Sequence, residues 1–219
     1  MALTFPLSLA SFADILPVKA YSCDLPEKIQ QSSTAGGEQL SADMAERLWT
    51  GRVDLGWMVK AEVGRPEVLI QILKQGHPFH IGDGRRKYPL ADPTGSILGA
   101  ATVTILALGG DPRELSLAGL PAGYTLSAGD YLSFAYTDLS ITRQALHKVV
   151  PVTVVAGGGG DTALFEVIPA IRPGAVAGAA VTLAKPFCKA VMVAGSASPS
   201  TGQSTLYDGL GFDWVQSLR

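Results

Sequence analysis

Two histidines and an aspartate form the densest group of potential metal ligands in the sequence. They are His77, His80 and Asp83, in the segment HPFHIGD. Imidazole and carboxylate groups bind metals when one backbone element aligns them. Pro78 argues against a helix here, and residues three apart on a strand point to opposite faces. We therefore interpret both histidines as structural or surface residues and predict no metal site.

Acid–base and nucleophilic chemistry has little support. His147, in QALHKVV, begins a β-like segment and has no nearby carboxylate in the sequence. Ser196, in VAGSAS, lacks the second glycine of a nucleophile elbow. The acids Glu114, Asp130, Asp138 and Glu166 lie in or beside β segments, and no spacing selects a catalytic pair. We predict that the chain is not an enzyme, and we expect no cofactor.

Glycine-rich stretches could cradle phosphate, but their context indicates turns. GGGGDT, residues 157–162, contains no Gly-Lys pair and is therefore not a phosphate-binding loop of the Walker type. We interpret it as the tip of a β-hairpin. In GLPAGYTLSAGDYLSFAY no helix follows the glycines, so no helix N-terminus is available for an anion. We predict two turns, at Gly123 and Gly129, leading into a strand.

The strand in that stretch places Leu132, Phe134 and Tyr136 on one buried face. Tyr124 and Tyr131 lie off this face, and we predict that they contact a neighbouring subunit. Three tryptophans, Trp49, Trp57 and Trp214, could stack on sugars, but core or interface packing explains them better. They nevertheless support an alternative function, a carbohydrate-binding β module that adheres to host surfaces.

Composition indicates a protein that assembles. Of 219 residues, 47% are apolar and only 16% are charged, against roughly 25% charged in ordinary domains. The net charge of −2 gives no electrostatic footprint for nucleic acid, and Arg85-Arg86-Lys87 is interpreted as a solvated turn. The N-terminal stretch lacks the basic region of a signal peptide, and no apolar run is long enough for a membrane span. Nothing in the sequence indicates an oxidised disulfide scaffold, and whether Cys23 and Cys188 pair with each other stays open at this point.

The first third mixes element types. We predict a strand in VKAYSCDLP, a polar loop in QQSSTAGGEQ, and helical turns in SADMAERLW with Ser41 as N-cap. Alternation in WTGRVDLGWMV indicates a half-buried strand. RPEVLIQILKQG is the clearest helix, with Pro66 in its first turn and Gly76 as its stop.

From about residue 94 the pattern becomes purely β. Short alternating or β-branched segments are separated by Gly, Pro and Asp, which is typical of a small barrel or sandwich. The final segment, TLYDGLGFDWVQSLR, resembles the first third and indicates that the β-only region is an insertion. We predict an α+β, mainly β chain with one or two short helices, divided into a discontinuous domain of residues 1–93 and 190–219 and an inserted β-barrel of residues 94–189.

The order of motifs resembles distal tail proteins of long-tailed, non-contractile bacteriophages and related gene-transfer particles. In the first half the similar succession is ERLWTGRVDL, EVLIQILKQG and FHIGDGRRKYPL. In the second half the similar series of sequence motifs is L-x-x-GDY, a strand with a leucine–histidine–basic sequence, E-V-x-P-x-x-RPG and a closing L-x-x-P. These positions are Leu126, Gly129, Asp130 and Tyr131; Leu146, His147 and Lys148; Glu166, Val167, Pro169, Arg172, Pro173 and Gly174; and Leu183 and Pro186.

This resemblance implies a structural virion protein. Six copies would form a ring of β-sandwich-like domains, each carrying an inserted barrel of the oligonucleotide-binding type. The implied partners are other copies of the chain, the tail tube protein on one side and the baseplate hub or tail-tip protein on the other. The implied location is the virion tail tip, after synthesis in the host bacterial cytoplasm. No nucleic acid or membrane partner is expected. An aliphatic helix face, Val68, Leu69, Ile72 and Leu73, is the predicted contact between copies.

Overall fold

The computed structural model describes residues 3–203 and 205–219. It confirms that the protein is mainly β, with a single α-helix in the described residues. The chain forms two compact units. The barrel unit comprises residues up to Leu16, His77–Ala190 and Ser217–Arg219, and the helix unit comprises Pro17–Gly76 and Val191–Gln216. Residues 77–93 therefore group with the barrel strands, whereas our predicted boundary lay after residue 93.

The elements follow one another in chain order as β1 (Val18–Asp24), β2 (Ile29–Ser33), β3 (Gln39–Asp43), β4 (Thr50–Leu55), β5 (Met58–Val59), α1 (Lys60–Leu73), β6 (Phe79–Ile81), β7 (Thr104–Leu108), β8 (Glu114–Ala118), β9 (Thr125–Ser127), β10 (Tyr131–Asp138), β11 (Ile141–Val149), β12 (Thr153–Val155), β13 (Phe165–Ile168), β14 (Val181–Thr182), β15 (Cys188–Met192), β16 (Thr201–Gln203), β17 (Leu206–Asp208) and β18 (Gly211–Gln216). A short 3₁₀ turn spans Ala13–Ile15.

The barrel unit is built on a nearly closed six-stranded sheet with the order β14-β10-β11-β13-β8-β7. Backbone hydrogen bonds join the two end strands. The amide of Ile105 donates to the Ala179 carbonyl at 3.0 Å, and the amide of Val181 donates to the Val103 carbonyl at 2.8 Å. Closure of this kind satisfies backbone groups that an open sheet would leave at its edges.

Alternating apolar side chains fill the barrel. Leu115, Leu117, Leu126, Leu132 and Phe134 are each at most 1% exposed and belong to one continuous core. Burying such side chains is the main favourable term in folding, at about 25 cal/mol per Å² of apolar surface. The predicted β-only pattern after residue 94 is confirmed. Strands β8 and β9 were not predicted, because their glycine-rich surroundings indicated turns alone.

The GGGGDT segment is not a hairpin tip, so that prediction is wrong. Strand β12 pairs with β9, whereas β13 pairs with β8 and β11, so residues 157–162 connect strands that are not paired to each other. The loop packs against the barrel wall, where the Leu120 amide donates to the Gly160 carbonyl at 3.1 Å. Gly160 has φ of +86°, and a Cβ atom there would lie 2.3 Å from the Leu120 carbonyl oxygen. The loop needs glycine at this position for both reasons.

The helix unit contains an antiparallel sheet with the order β1-β4-β18 and a smaller one with the order β16-β17-β5. Helix α1 begins six residues before Pro66, which lies inside it rather than in its first turn. The buried face explains the difference, since Val63, Pro66, Leu69, Ile70 and Leu73 continue one apolar stripe along the helix. Gly76, at φ of +86°, follows the helix end as predicted.

A hairpin replaces the predicted polar loop and helical turns, so both of those predictions are wrong. Strands β2 and β3 pair from Ile29↔Asp43 to Ser33↔Gln39, and Ser41 lies within β3 instead of capping a helix. The chain reverses where the amide of Gly37, at φ of +84°, donates to the Thr34 carbonyl at 2.9 Å. A positive φ favours glycine, which lets this polar stretch fold back on itself.

Gly51 in β4 provides a test of the helix-unit sheet. A Cβ atom at Gly51 would lie 2.1 Å from the Ser22 carbonyl oxygen and 2.8 Å from the Trp214 ring. We expect Gly51→Ala to lower the free energy of unfolding by about 2–3 kcal/mol. Neither the Ser22 carbonyl nor the buried Trp214 ring can move aside without disturbing the packing around it. Denaturant unfolding followed by tryptophan fluorescence measures this.

Gly64→Ala in α1 is the matched control. Apart from the neighbouring helix backbone, no heavy atom of the described residues lies within 4 Å of a Cβ placed there, so the substitution should stabilise the helix by about 0.5–1 kcal/mol. Equal unfolding free energies for Gly51→Ala and the wild type would contradict this account of the sheet.

Candidate functional site

The two histidines that the sequence offers as potential metal ligands each pack against a different aromatic ring. His77 stacks on Phe5 with ring centroids 4.1 Å apart, and His80 packs on Phe187 at 4.6 Å. Burial, together with the positive charge of Lys189, lowers the pKa of His80. Within residues 3–203 and 205–219, no three His, Cys, Asp or Glu side chains are arranged to hold a metal ion.

Asp83 organises the turn after β6. Burial alone would raise its pKa, but hydrogen bonds from Arg85 and from the Tyr131 hydroxyl outweigh that effect and lower the pKa. The Arg85 guanidinium donates to both carboxylate oxygens, at 3.0 and 2.9 Å, and the Tyr131 hydroxyl donates to Oδ2 at 3.0 Å. The buried carboxylate thus fastens the basic turn to strand β10.

His147 lies inside the barrel on β11. It is 2% exposed, it stacks on Phe134 with centroids 5.2 Å apart, and its Nδ1–H donates to the Pro169 carbonyl at 2.8 Å. Burial lowers its pKa to about 4. Its Nε2 atom has no hydrogen-bond partner among the described residues. A neutral imidazole sealed in this way packs the core and is not placed to exchange protons with a substrate.

The tryptophans divide into core and surface. Trp49 and Trp214 are 1% and 0% exposed in the helix unit, whereas Trp57 is 63% exposed. Sugar binding uses the open face of an aromatic ring, so of the three tryptophans only Trp57 could provide such a surface. The carbohydrate-binding alternative therefore loses two of the residues on which it depended.

Much of the predicted contact face of α1 is occupied within its own unit. Leu69 and Leu73 are 7% and 0% exposed, Ile72 is half-buried, and Val68 is 54% exposed. The surface available to another copy is thus narrower than the helical spacing indicated. The assignment stays a prediction, centred now on Val68.

Tyr124 and Tyr131, the other predicted contacts, lie inside the barrel unit at 4% and 2% exposure. Burial and the nearby Asp92 raise the pKa of Tyr124 to about 12. Tyr131 is covered because both faces of β10 are buried over residues 131–134, one by the barrel core and the other by segments that include Asp83 and Phe187. From these positions neither tyrosine is exposed to a neighbouring subunit.

The structure instead reveals an arm, residues 28–44, made of β2, β3 and their turn. Neither strand pairs with any described strand outside the arm, and every described side chain of the two strands is exposed. The Arg47 guanidinium donates to the Leu25 and Pro26 carbonyls and fixes the base of the arm. No sequence signal indicated the arm, since its strands lack apolar alternation.

A pocket of about 420 Å³ lies in the barrel unit. It is lined by residues 84–90 together with Pro93 and Asp130. Arg85 is paired with Asp83, whereas neither Arg86 nor Lys87 has a carboxylate partner in the described part of the chain. We call this feature the basic pocket.

No protein-family model and no curated protein matches the chain. No helix in the described residues is long and apolar enough to cross a bilayer. The arm and the basic pocket are the surface features of the described residues that stand out.

The burial of His147 predicts a pH dependence of stability. The pKa of about 4 in the fold lies below the ordinary value of 6.5, so the unfolded chain takes up the proton first as pH falls. The resulting stabilisation is complete above pH 6.5 and is lost as pH falls towards 4. We expect His147→Asn, whose amide can still donate to Pro169, to lose about 2 kcal/mol less stability than wild type between pH 7 and pH 5.

Urea unfolding at several pH values measures this difference. Comparison with wild type cancels the contributions of other titrating groups, His80 included. Parallel pH profiles for the two proteins would show that His147 is not held neutral by burial.

Proposed function

We propose that this chain is a structural protein of a bacteriophage tail tip. Six copies form a ring that joins the tail tube to the baseplate hub or tip. In this proposal the helix unit supplies the ring-forming, sandwich-like part, and the barrel unit is the inserted barrel of the oligonucleotide-binding type. The whole-chain resemblance to distal tail proteins motivates the proposal, and the arm carries it.

The arm supports assembly because it is an incomplete sheet. An isolated two-stranded hairpin is at best marginally stable in water, and a third strand or a packed face is needed for independent stability. The arm has neither within its own chain among the described residues. A second chain that pairs with β2 or β3 provides what is missing.

The strands of the arm also lack the features that usually prevent an exposed strand edge from pairing with another chain. Proteins protect exposed edges with lysine, proline or bulges. Strands IQQSS and QLSAD contain one charged residue, Asp43, and no proline, and their register is regular. In our proposal this edge is used, and the arm of one copy adds to an open strand edge of the next, such as β1.

Such a contact joins two different surfaces, and repetition of it around an axis closes a ring. Several aliphatic side chains are exposed, which is consistent with the low charge content of a protein that assembles. Those exposed by more than half are Leu40, Val68, Leu90, Ile97, Leu139, Val152, Val155 and Val176.

Charges on the arm should block assembly without harming the fold. Ile29 and Leu40 are 39% and 54% exposed, so the double variant Ile29→Lys, Leu40→Lys loses little buried surface. We expect an unchanged unfolding midpoint and a shift from rings to monomers in sedimentation velocity. Val155→Lys, at 55% exposure in the barrel unit, is the matched control and should still form rings.

Addition of tail tube protein extends the test. We expect stacked complexes with wild type and none with the arm variant. The proposal would be falsified by a wild-type protein that remains strictly monomeric at its highest soluble concentration and that does not assemble when tail tube protein is added.

A further inference from the structure

The β10–β11 ribbon extends beyond the barrel sheet. Among the described residues, only Ser133 and Phe134 of β10 pair with β14 on one side, and only Lys148 and Val149 of β11 pair with β13 on the other. Beyond these positions the two strands pair with each other and with no other described strand, as far as Asp138↔Ile141. The ribbon therefore ends in a tip, residues 137–142, that carries no further strand.

The tip has an unusual residue at its turn. Leu139 and Ser140 form the two-residue connection and have φ of 48° and 65°. Turns of this type favour Asn and Gly, because a positive φ is unfavourable for residues with a bulky side chain. Leu139 is also 87% exposed. Backbone strain combined with an exposed leucine motivates a functional role for the tip, because strained conformations of this kind cluster at functional sites.

The tip is braced in this conformation. Arg143 donates to the Asp138 carboxylate at 2.6 Å across the ribbon. Gly174 packs so closely on β10 that a Cβ atom there would lie 2.1 Å from the Thr137 carbonyl oxygen. Val176, two residues further along that loop, is 61% exposed. Leu139 is thus presented on a supported ribbon rather than on a loose loop.

The basic pocket has complementary properties. Tyr88, Pro89 and Pro93 give it apolar walls, and Leu90 at 67% exposure lies on its rim. A cavity of about 150 Å³ already holds a benzene-sized group, so a volume of about 420 Å³ accommodates a leucine side chain with part of its turn. Arg86 and Lys87 supply positive charge without carboxylate partners in the described residues.

We infer that the ribbon tip of one copy inserts Leu139 into the basic pocket of the next copy. Asp138, directly before the inserted leucine, keeps its ion pair with Arg143, so the tip and the pocket match in size and apolar character rather than in charge. The tip and the pocket are different surfaces, as a closed ring requires. A lipid surface fits the tip less well, because Arg143 is already paired and the residues from 137 to 142 include no Trp, Tyr, Lys or Arg.

This inference rests on the self-assembly in the proposed function and can be tested separately from it. Single variants Leu139→Cys and Leu90→Cys are purified, mixed at assembly concentration and oxidised. We expect a disulfide-linked dimer in the mixture and none in either variant alone, since a disulfide requires Cα atoms within about 7 Å. Val152→Cys, at 82% exposure, replaces Leu139→Cys in the control mixture and should not link.

A second variant separates strain from contact. Leu139→Asn suits a positive φ better than leucine does, so we expect an equal or higher unfolding midpoint together with assembly at least tenfold weaker. Rings that form without the cross-link, or that tolerate Leu139→Asn, overturn the inference and leave the ring proposal standing. Absence of wild-type assembly overturns both. Binding to anionic vesicles that Leu139→Asn abolishes would overturn the inference in favour of a membrane contact.

Discussion

Every strand carries backbone N–H and C=O groups along both edges, and an edge without a partner is open to pairing with another chain. In the barrel unit the two ends of the six-stranded sheet satisfy each other, since hydrogen bonds between residues 103–105 and 179–181 nearly close it. The sheets of the helix unit have no such closure. Strand β1 ends its sheet, and the arm forms a two-stranded sheet by itself. The fold and the proposed assembly both follow from how these edges are used.

Sequence patterns predicted the strands whose apolar residues alternate on one buried face. Val53 and Leu55 alternate along β4 and are each 1% exposed, and Leu132, Phe134 and Tyr136 share the buried face of β10. The arm escaped prediction because its strands are polar on both faces and have no apolar period. The predicted start of α1 is too late in the chain. The sequence does not distinguish a proline that packs in a buried helix face, as Pro66 does, from a proline in the first turn of a helix.

The candidate surfaces were harder to predict, since they depend on contacts between distant segments. Tyr131 follows the outward alternation of β10, yet Asp83, 48 residues earlier, accepts its hydroxyl hydrogen bond and covers it. Leu69 and Leu73 lie on an apolar helix face, and only the folded unit shows that its own core occupies that face. Leu139 carried no signal at all, because its significance lies in a positive φ and in exposure. Periodicity identifies buried faces, but it does not distinguish a core from an interface.

The central claim is that identical copies of this chain join through unlike surfaces into a closed ring. Electron microscopy of the purified protein tests it most directly, because class averages report closure and symmetry without any partner. The account predicts closed rings with sixfold symmetry, in which density connects the arm of each subunit to its neighbour. Fields that contain only isolated particles of the 22.8 kDa chain, or twofold dimers joined through identical surfaces, would contradict it.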